Sequence, residues 1–129
     1  MLHRDSGVTG LIIHGALRVH SELGPGLLES AYEVCLSHEL RRIGLAVCTQ
    51  VPQSVVYGGS RLDVGYRLDM LVESTVVVEI KTVQRIHLVH EAQLLSYLRL
   101  GGYPVGLLLN FHVPRLRDGI RRIVNARPP

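Results

Sequence analysis

The sequence predicts one α/β domain, residues 1–129, with a mixed central sheet of about four to five strands flanked by helices. Three observations carry that reading. Two segments with helical spacing of apolar residues open the chain, three Val-rich strand-like runs follow, and a further helix separates these from one more buried strand. At 129 residues and 47% hydrophobic, the chain can bury a core without disulfides or a structural metal. It has no Trp and one Phe, so that core is aliphatic.

The elements follow in order. Val8, Leu11, Ile12, Ala16, Val19 and Leu23 fall near helical spacing, with Asp5 or Ser6 available as a cap and Gly24-Pro25-Gly26 as the stop. A second helix is expected from about Leu27 to Ile43, with Leu28, Ala31, Tyr32, Cys35, Leu36, Leu40 and Ile43 on one broad face, ended by Gly44. Ala46 to Tyr57 reads as a strand turned by Gly58-Gly59. Leu62 to Val72 and Val76 to Lys81 read as a hairpin around Glu73-Ser74-Thr75. His87 to Leu100 is the third helix, closed by Gly101-Gly102, and Val105 to Phe111 a buried strand. That strand can return parallel to its predecessor through the helix. Arg115 to Val124 fits strand and helix equally.

Several function classes drop out on composition. The longest apolar stretches, such as Val105 to Leu109, are too short to span a bilayer, so no membrane role is expected. The polar start, Met1-Leu2-His3-Arg4-Asp5, is unlike a secretory leader, which makes the cytoplasm the expected compartment. Cys35 and Cys48 then read as free thiols. The histidines, including His14, His20, His87 and His90, lack the companion ligands of a zinc site. Net charge is +3, which permits contact with a polyanion. Arg115, Arg117, Arg121, Arg122 and Arg127 crowd the C-terminal end against Asp118 alone.

Of the 14 cationic side chains, Lys81 is the single lysine, and it sits in a Val-rich strand. An ammonium is a compact donor with a tunable pKa, unlike guanidinium, so Lys81 is a candidate for chemistry. In Val76-Val77-Val78-Glu79-Ile80-Lys81, strand periodicity puts Glu79 and Lys81 on one face and Val76, Val78 and Ile80 on the other. A salt bridge at a strand end would look the same. Asp69, on the preceding strand, changes the balance, because two carboxylates across a hairpin can hold a divalent cation that polarises a phosphoryl oxygen and acidifies water. Lys81 beside them can orient that water and meet charge on phosphorus. Hard oxygen donors suit Mg²⁺ or Mn²⁺. The geometry carries a condition. A two-residue Ser74-Thr75 turn would set Asp69 opposite Ile80, so the site requires an odd-length turn or a bulge.

This Asp69…Glu79-x-Lys81 arrangement resembles the PD-(D/E)xK nuclease superfamily, with Leu68 where the family pattern has Pro. Gln93 and Tyr97, four apart on the third helix, resemble the Q-x3-Y element of the RecB-like branch and would line the substrate groove. Gly26-Leu27-Leu28-Glu29-Ser30-Ala31-Tyr32 is similar to the narrower GxxExxY family. Val19 to Glu29, Gly65 to Asp69, Val78 to Lys81, Gln93 to Leu98 and Leu109-Asn110-Phe111 extend that likeness along the chain. The resemblance implies a restriction-endonuclease-like core. It implies a metal held by Asp69, Glu79, Glu29 and the Ile80 carbonyl, with Lys81 serving the attack and Tyr32 beside the substrate. A Mg²⁺-dependent nuclease acting on nucleic acid, DNA first, is the function implied. The alternative is a nucleic-acid-binding module that keeps the fold with little catalysis. The small size also motivates a twofold homodimer to engage longer nucleic acid.

Overall fold

The computed structural model describes residues 4–126. Its order is α1 (Arg4–Leu23), α2 (Glu29–Arg42), β1 (Val47–Tyr57), β2 (Ser60–Val72), β3 (Val76–Lys81), α3 (Leu88–Gly101), β4 (Val105–Asn110), a 3-10 turn (Leu116–Gly119) and β5 (Ile120–Val124). The sheet is five-stranded in the order β1-β2-β3-β4-β5. β3 and β4 are parallel, joined across α3, and the other neighbours are antiparallel. The expected mixed sheet and parallel return are both present.

Two aliphatic clusters lie on the two faces of the sheet. Ile12, Ala16 and Val19 of α1 with Tyr32, Leu36 and Leu40 of α2 pack against Met70, Val76, Val78, Ile80, Leu107 and Leu109. Leu94, Tyr97 and Leu98 of α3 pack against Leu68, Val77 and Leu108. With helices on both sides, β4 is buried at every residue, as a strand covered on two faces must be. Gly106 is what lets α3 lie so close: a Cβ there would stand 2.9 Å from the Leu94 side chain.

The differences from expectation have local causes. α1 already contains Asp5 and Ser6, so neither is its cap. Leu11 and Leu23 are exposed, because α2 shares this face and only one stripe of α1 reaches the sheet. α2 starts at Glu29 and leaves Leu28 77% exposed, since Gly24 and Gly26 hold positive φ and keep the preceding chain out of the helix. The Arg-rich segment resolves into a 3-10 turn and an edge strand, with Ile120 and Ile123 packing on opposite clusters. Arg127 lies outside the described residues. Among those residues, no helix is long and apolar enough to cross a membrane.

Candidate active site

The hairpin between β2 and β3 decides where Asp69 goes. Val72 pairs with Val76, so Glu73, Ser74 and Thr75 form a three-residue turn, with φ 53° at both Glu73 and Ser74. The register Met70↔Val78, Leu71↔Val77 then carries Asp69 to the place opposite Glu79. This is the odd-length turn that the site requires. At that level side chains replace the backbone ladder. The Asp69 N–H donates to Glu79 Oε2 at 2.9 Å, and the Ile80 N–H donates to Asp69 Oδ2 at 2.8 Å. Each carboxylate is thus fixed by the strand that bears the other.

β1 and β2 both turn over at this point. Met70 packs in the cluster under α1 and α2, while Leu68, two residues away, packs under α3. Val47 and Val51 of β1 divide the same way. Between them Gln50 takes φ 53°, a left-handed conformation that is uncommon for a residue with a side chain. The twist turns Asp69 toward a cavity of about 300 Å³ lined by Glu29, Ser30, Glu33, Gln50, Asp69 and Ile80. A larger cavity of about 460 Å³ lies between α1 and α2 around Glu39, whose carboxylate Arg42 holds at 2.6 Å. None of the expected site residues lines that larger cavity.

Glu29 enters from the first turn of α2 and accepts the Thr82 N–H at 3.1 Å, tying that helix to the residue after Lys81. Its charge is felt at both Asp69 and Glu79. Tyr32, expected beside substrate, is fully buried. Its ring stacks on Phe111 at 4.4 Å, and its hydroxyl accepts the Leu27 N–H and donates to the Gly24 carbonyl. Tyr32 therefore holds the turn that delivers Glu29 and does not line the cavity at Asp69.

On the α3 side, Gln93 and Tyr97 are linked by a side-chain hydrogen bond. Burial raises the pKa of the Tyr97 phenol, and the nearby Glu79 charge raises it further. The structure thus brings the Gln93–Tyr97 pair to the neighbourhood of Glu79. His87 and His90 cap α3: the His87 N–H donates to His90 Nδ1 at 3.0 Å. His90 is held below the usual imidazole range by burial and by the Lys81 charge. His20 bonds the Val113 carbonyl at 2.8 Å, a structural tie.

The electrostatics describe a site short of positive charge. Glu79 is buried, and burial together with the adjacent Asp69 charge pushes its carboxyl up to about 8. Asp69 is raised by burial and by Glu29, against the Ile80 N–H and Lys81, which favour its ionised form. Glu33, one turn beyond Glu29, is raised by burial and then by Asp69 and Glu29. Four carboxylates therefore converge electrostatically with Lys81 as the lone ammonium among the groups that act on Asp69 and Glu79. A hard divalent cation suits such a donor set. Among the described residues no three His, Cys, Asp or Glu side chains gather into a ready-made metal cage.

Three residues have roles that the sequence reading does not assign. Glu33 carried a usable signal, since it lies at i+4 from Glu29 on the same helix face. Asn110, an amide in an otherwise apolar strand, is 2% exposed. Its Oδ1 accepts the Val83 and His112 N–H groups and its Nδ2 donates to the Val83 carbonyl, clamping the segment after Lys81. Gln50, which donates to Glu33 Oε1 at 2.8 Å and also bonds Asp69, gives no local sign of its left-handed backbone.

A family model described as the PD-(D/E)XK nuclease superfamily matches residues 6–123. No curated protein and no solved structure matches the chain.

Proposed function

The chain belongs to the PD-(D/E)XK nuclease superfamily, and on that premise we propose that it is a Mg²⁺- or Mn²⁺-dependent nuclease hydrolysing phosphodiester bonds of DNA or RNA. The observation that carries the reading is the exchange across β2 and β3, in which Asp69 and Glu79 each fix the other's strand. Lys81 lies two residues on from Glu79, on the same face of β3.

Asp69 and Glu79 would hold the cation, with the Ile80 carbonyl as a further donor. When bound, the ion lowers charge on a phosphoryl oxygen and acidifies a water. Lys81 orients the attacking water, which loses a proton to solvent and adds to phosphorus as the P–O bond to the leaving oxygen breaks and that oxygen takes a proton from solvent, and the Lys81 ammonium meets the charge that builds on the phosphoryl oxygens. Glu29, anchored on Thr82, borders the cavity at Asp69 and would help hold the metal or a water. Gln93 and Tyr97 line the groove on the α3 side, while Tyr32 acts through the turn before Glu29.

Within the superfamily, the Gly26…Glu29…Tyr32 pattern supports the GxxExxY family and the Gln93–Tyr97 pair the RecB-like branch. We place the protein in the cytoplasm, as a single domain with free Cys35 and Cys48, and as a twofold homodimer on longer substrates. The alternative is a nucleic-acid-binding module that keeps the fold with little catalysis. Incubation with single-stranded, duplex and branched DNA and RNA, with Mg²⁺, Mn²⁺ or EDTA, separates the two. Metal-dependent cleavage lost in Asp69→Asn supports the nuclease. Binding without cleavage under every condition would establish the module instead.

A further inference from the structure

Beyond Gln53 the β1–β2 pair leaves the body of the sheet. β3 pairs with β2 over Met70–Val72, so Ser60 to Arg67 has β1 as its only strand partner among the described residues. All eight of those residues are exposed. A two-stranded ribbon is marginal in water by itself, yet this one displays Tyr57, Leu62 and Tyr66 at 76%, 44% and 44% exposure. The register shifts between Gln53 and Val55, but the spacing of the paired residues stays even on both strands, so the pairings Gln53↔Tyr66, Val55↔Leu62 and Tyr57↔Ser60 keep these three side chains on one face.

That face continues the candidate site. The Tyr66 ring lies 5.6 Å from the Tyr97 ring, and Tyr97 is the groove residue that senses Glu79. From the level of Tyr66 to Tyr57 the ribbon advances by four residues, about 13 Å at roughly 3.3 Å per residue. Two exposed phenol rings thus mark a track leading away from the carboxylates.

Charge indicates what runs on the track. The ribbon carries Arg61, Asp63 and Arg67, and Asp63 is turned back to accept the Gly65 N–H at 2.9 Å. Arg61 and Arg67 are both exposed and stand opposite Val56 and Pro52, on the other face. Arg61 Nη1 donates to Ser54 Oγ at 2.9 Å, which holds that guanidinium on the face opposite the rings, behind a ribbon only about 5 Å from strand to strand. Rings on one face with cationic charge close behind them are the chemistry that binds bases by stacking and phosphates by charge. Paired bases inside a duplex cannot offer their faces to a ring.

We propose that the β1–β2 ribbon is a stacking platform for unpaired nucleotides, carrying single-stranded nucleic acid from the Asp69–Glu79–Lys81 site over Tyr66 to Tyr57. The inference rests on the nuclease reading for the identity of that site. The platform itself binds whether or not the strand is cut.

The test compares the full chain with Tyr57→Ala and Arg61→Ala, both exposed and outside the catalytic groups. Affinity for a labelled 12-nucleotide single strand and for a duplex of equal length is read by fluorescence anisotropy in Ca²⁺ over a salt series. Hydrolysis of bis(p-nitrophenyl) phosphate, too small to reach the ribbon, is followed in Mn²⁺. Tyr57→Ala should weaken single-strand binding about tenfold, the scale of one lost stack. Arg61→Ala should lower the salt slope by about one. Duplex affinity and small-substrate hydrolysis should stay at wild-type values. Unchanged single-strand affinity in Tyr57→Ala would overturn the platform. So would light scattering in which that variant falls from dimer to monomer while holding the strand normally, which would make the ribbon a self-association face. Absence of hydrolysis in every protein, with the tenfold binding difference intact, would remove the nuclease reading and leave the platform standing.

Discussion

Replacing Glu79 by Gln should make the metal-free protein more stable at alkaline pH. The new amide oxygen can still accept the Asp69 N–H that Glu79 Oε2 takes now, so the change removes charge and little else. In the wild-type fold the Glu79 carboxyl is raised from 4.5 to about 8 by burial and by Asp69. Between those values the folded state holds a proton that the unfolded chain has lost, so stability falls as pH rises through this window. At about 1.4 kcal/mol per pH unit, the full penalty above the window approaches about 5 kcal/mol. Asp69 is itself raised and can hold the proton in place of Glu79, which relieves part of that penalty in wild type, so the expected gain is about 2 kcal/mol. For a chain of this size that is roughly 8 °C in Tm. Melting curves in EDTA at pH 5, 7 and 9 read it directly. The Gln variant should match wild type near pH 5 and exceed it most at pH 9. Adding Mg²⁺ should raise the wild-type Tm at pH 9 more than the variant's. A variant less stable than wild type at pH 9, or an advantage of equal size at pH 5, would refute the account of a buried, uncompensated carboxylate.

Two further substitutions probe the neighbours of that carboxylate. Lys81→Arg conserves charge, but the planar guanidinium cannot occupy the point held by the ammonium. Cleavage in Mn²⁺ should fall about a hundredfold, the scale of one lost transition-state donor, with Tm unchanged, and near-normal turnover would reduce Lys81 to a charge. Tyr32→Phe keeps the stack on Phe111 and deletes the hydroxyl that binds Leu27 and Gly24. Urea unfolding should show a loss of about 1–2 kcal/mol, and an unchanged midpoint would mean that the turn holds without Tyr32.

The parts of the fold legible in the sequence are those set by local pattern. Val76 to Lys81 is the strand that its Val run announces, and the pairing of Glu79 and Lys81 on one face follows from period two. The need for an odd turn before it was also readable, because a one-residue slip reverses every side chain. What escaped depends on contacts between distant segments. Nothing in Gln50 signals a left-handed residue, yet it is there that β1 and β2 turn over and Asp69 meets Glu33 and Glu29. Tyr32 shares a helix side with Glu29, and only the arrival of Phe111 from the end of β4 decides that its ring is core. Ile120-Arg121-Arg122-Ile123-Val124 lacks strict alternation, and its pairing with β4 as an edge strand settles it.

Calorimetric titration of Mn²⁺ into wild type and Asp69→Asn at pH 7.5 tests the central claim most directly. Asn can still accept the Ile80 N–H through its side-chain oxygen, so the fold should survive while one anionic donor is lost. One Mn²⁺ site is expected in wild type, with binding at least tenfold weaker in the variant. Protons should be released on binding, because Glu79 is protonated near neutral pH. Equal Mn²⁺ affinity in the two proteins, with both folded, would contradict a metal site built on Asp69 and Glu79.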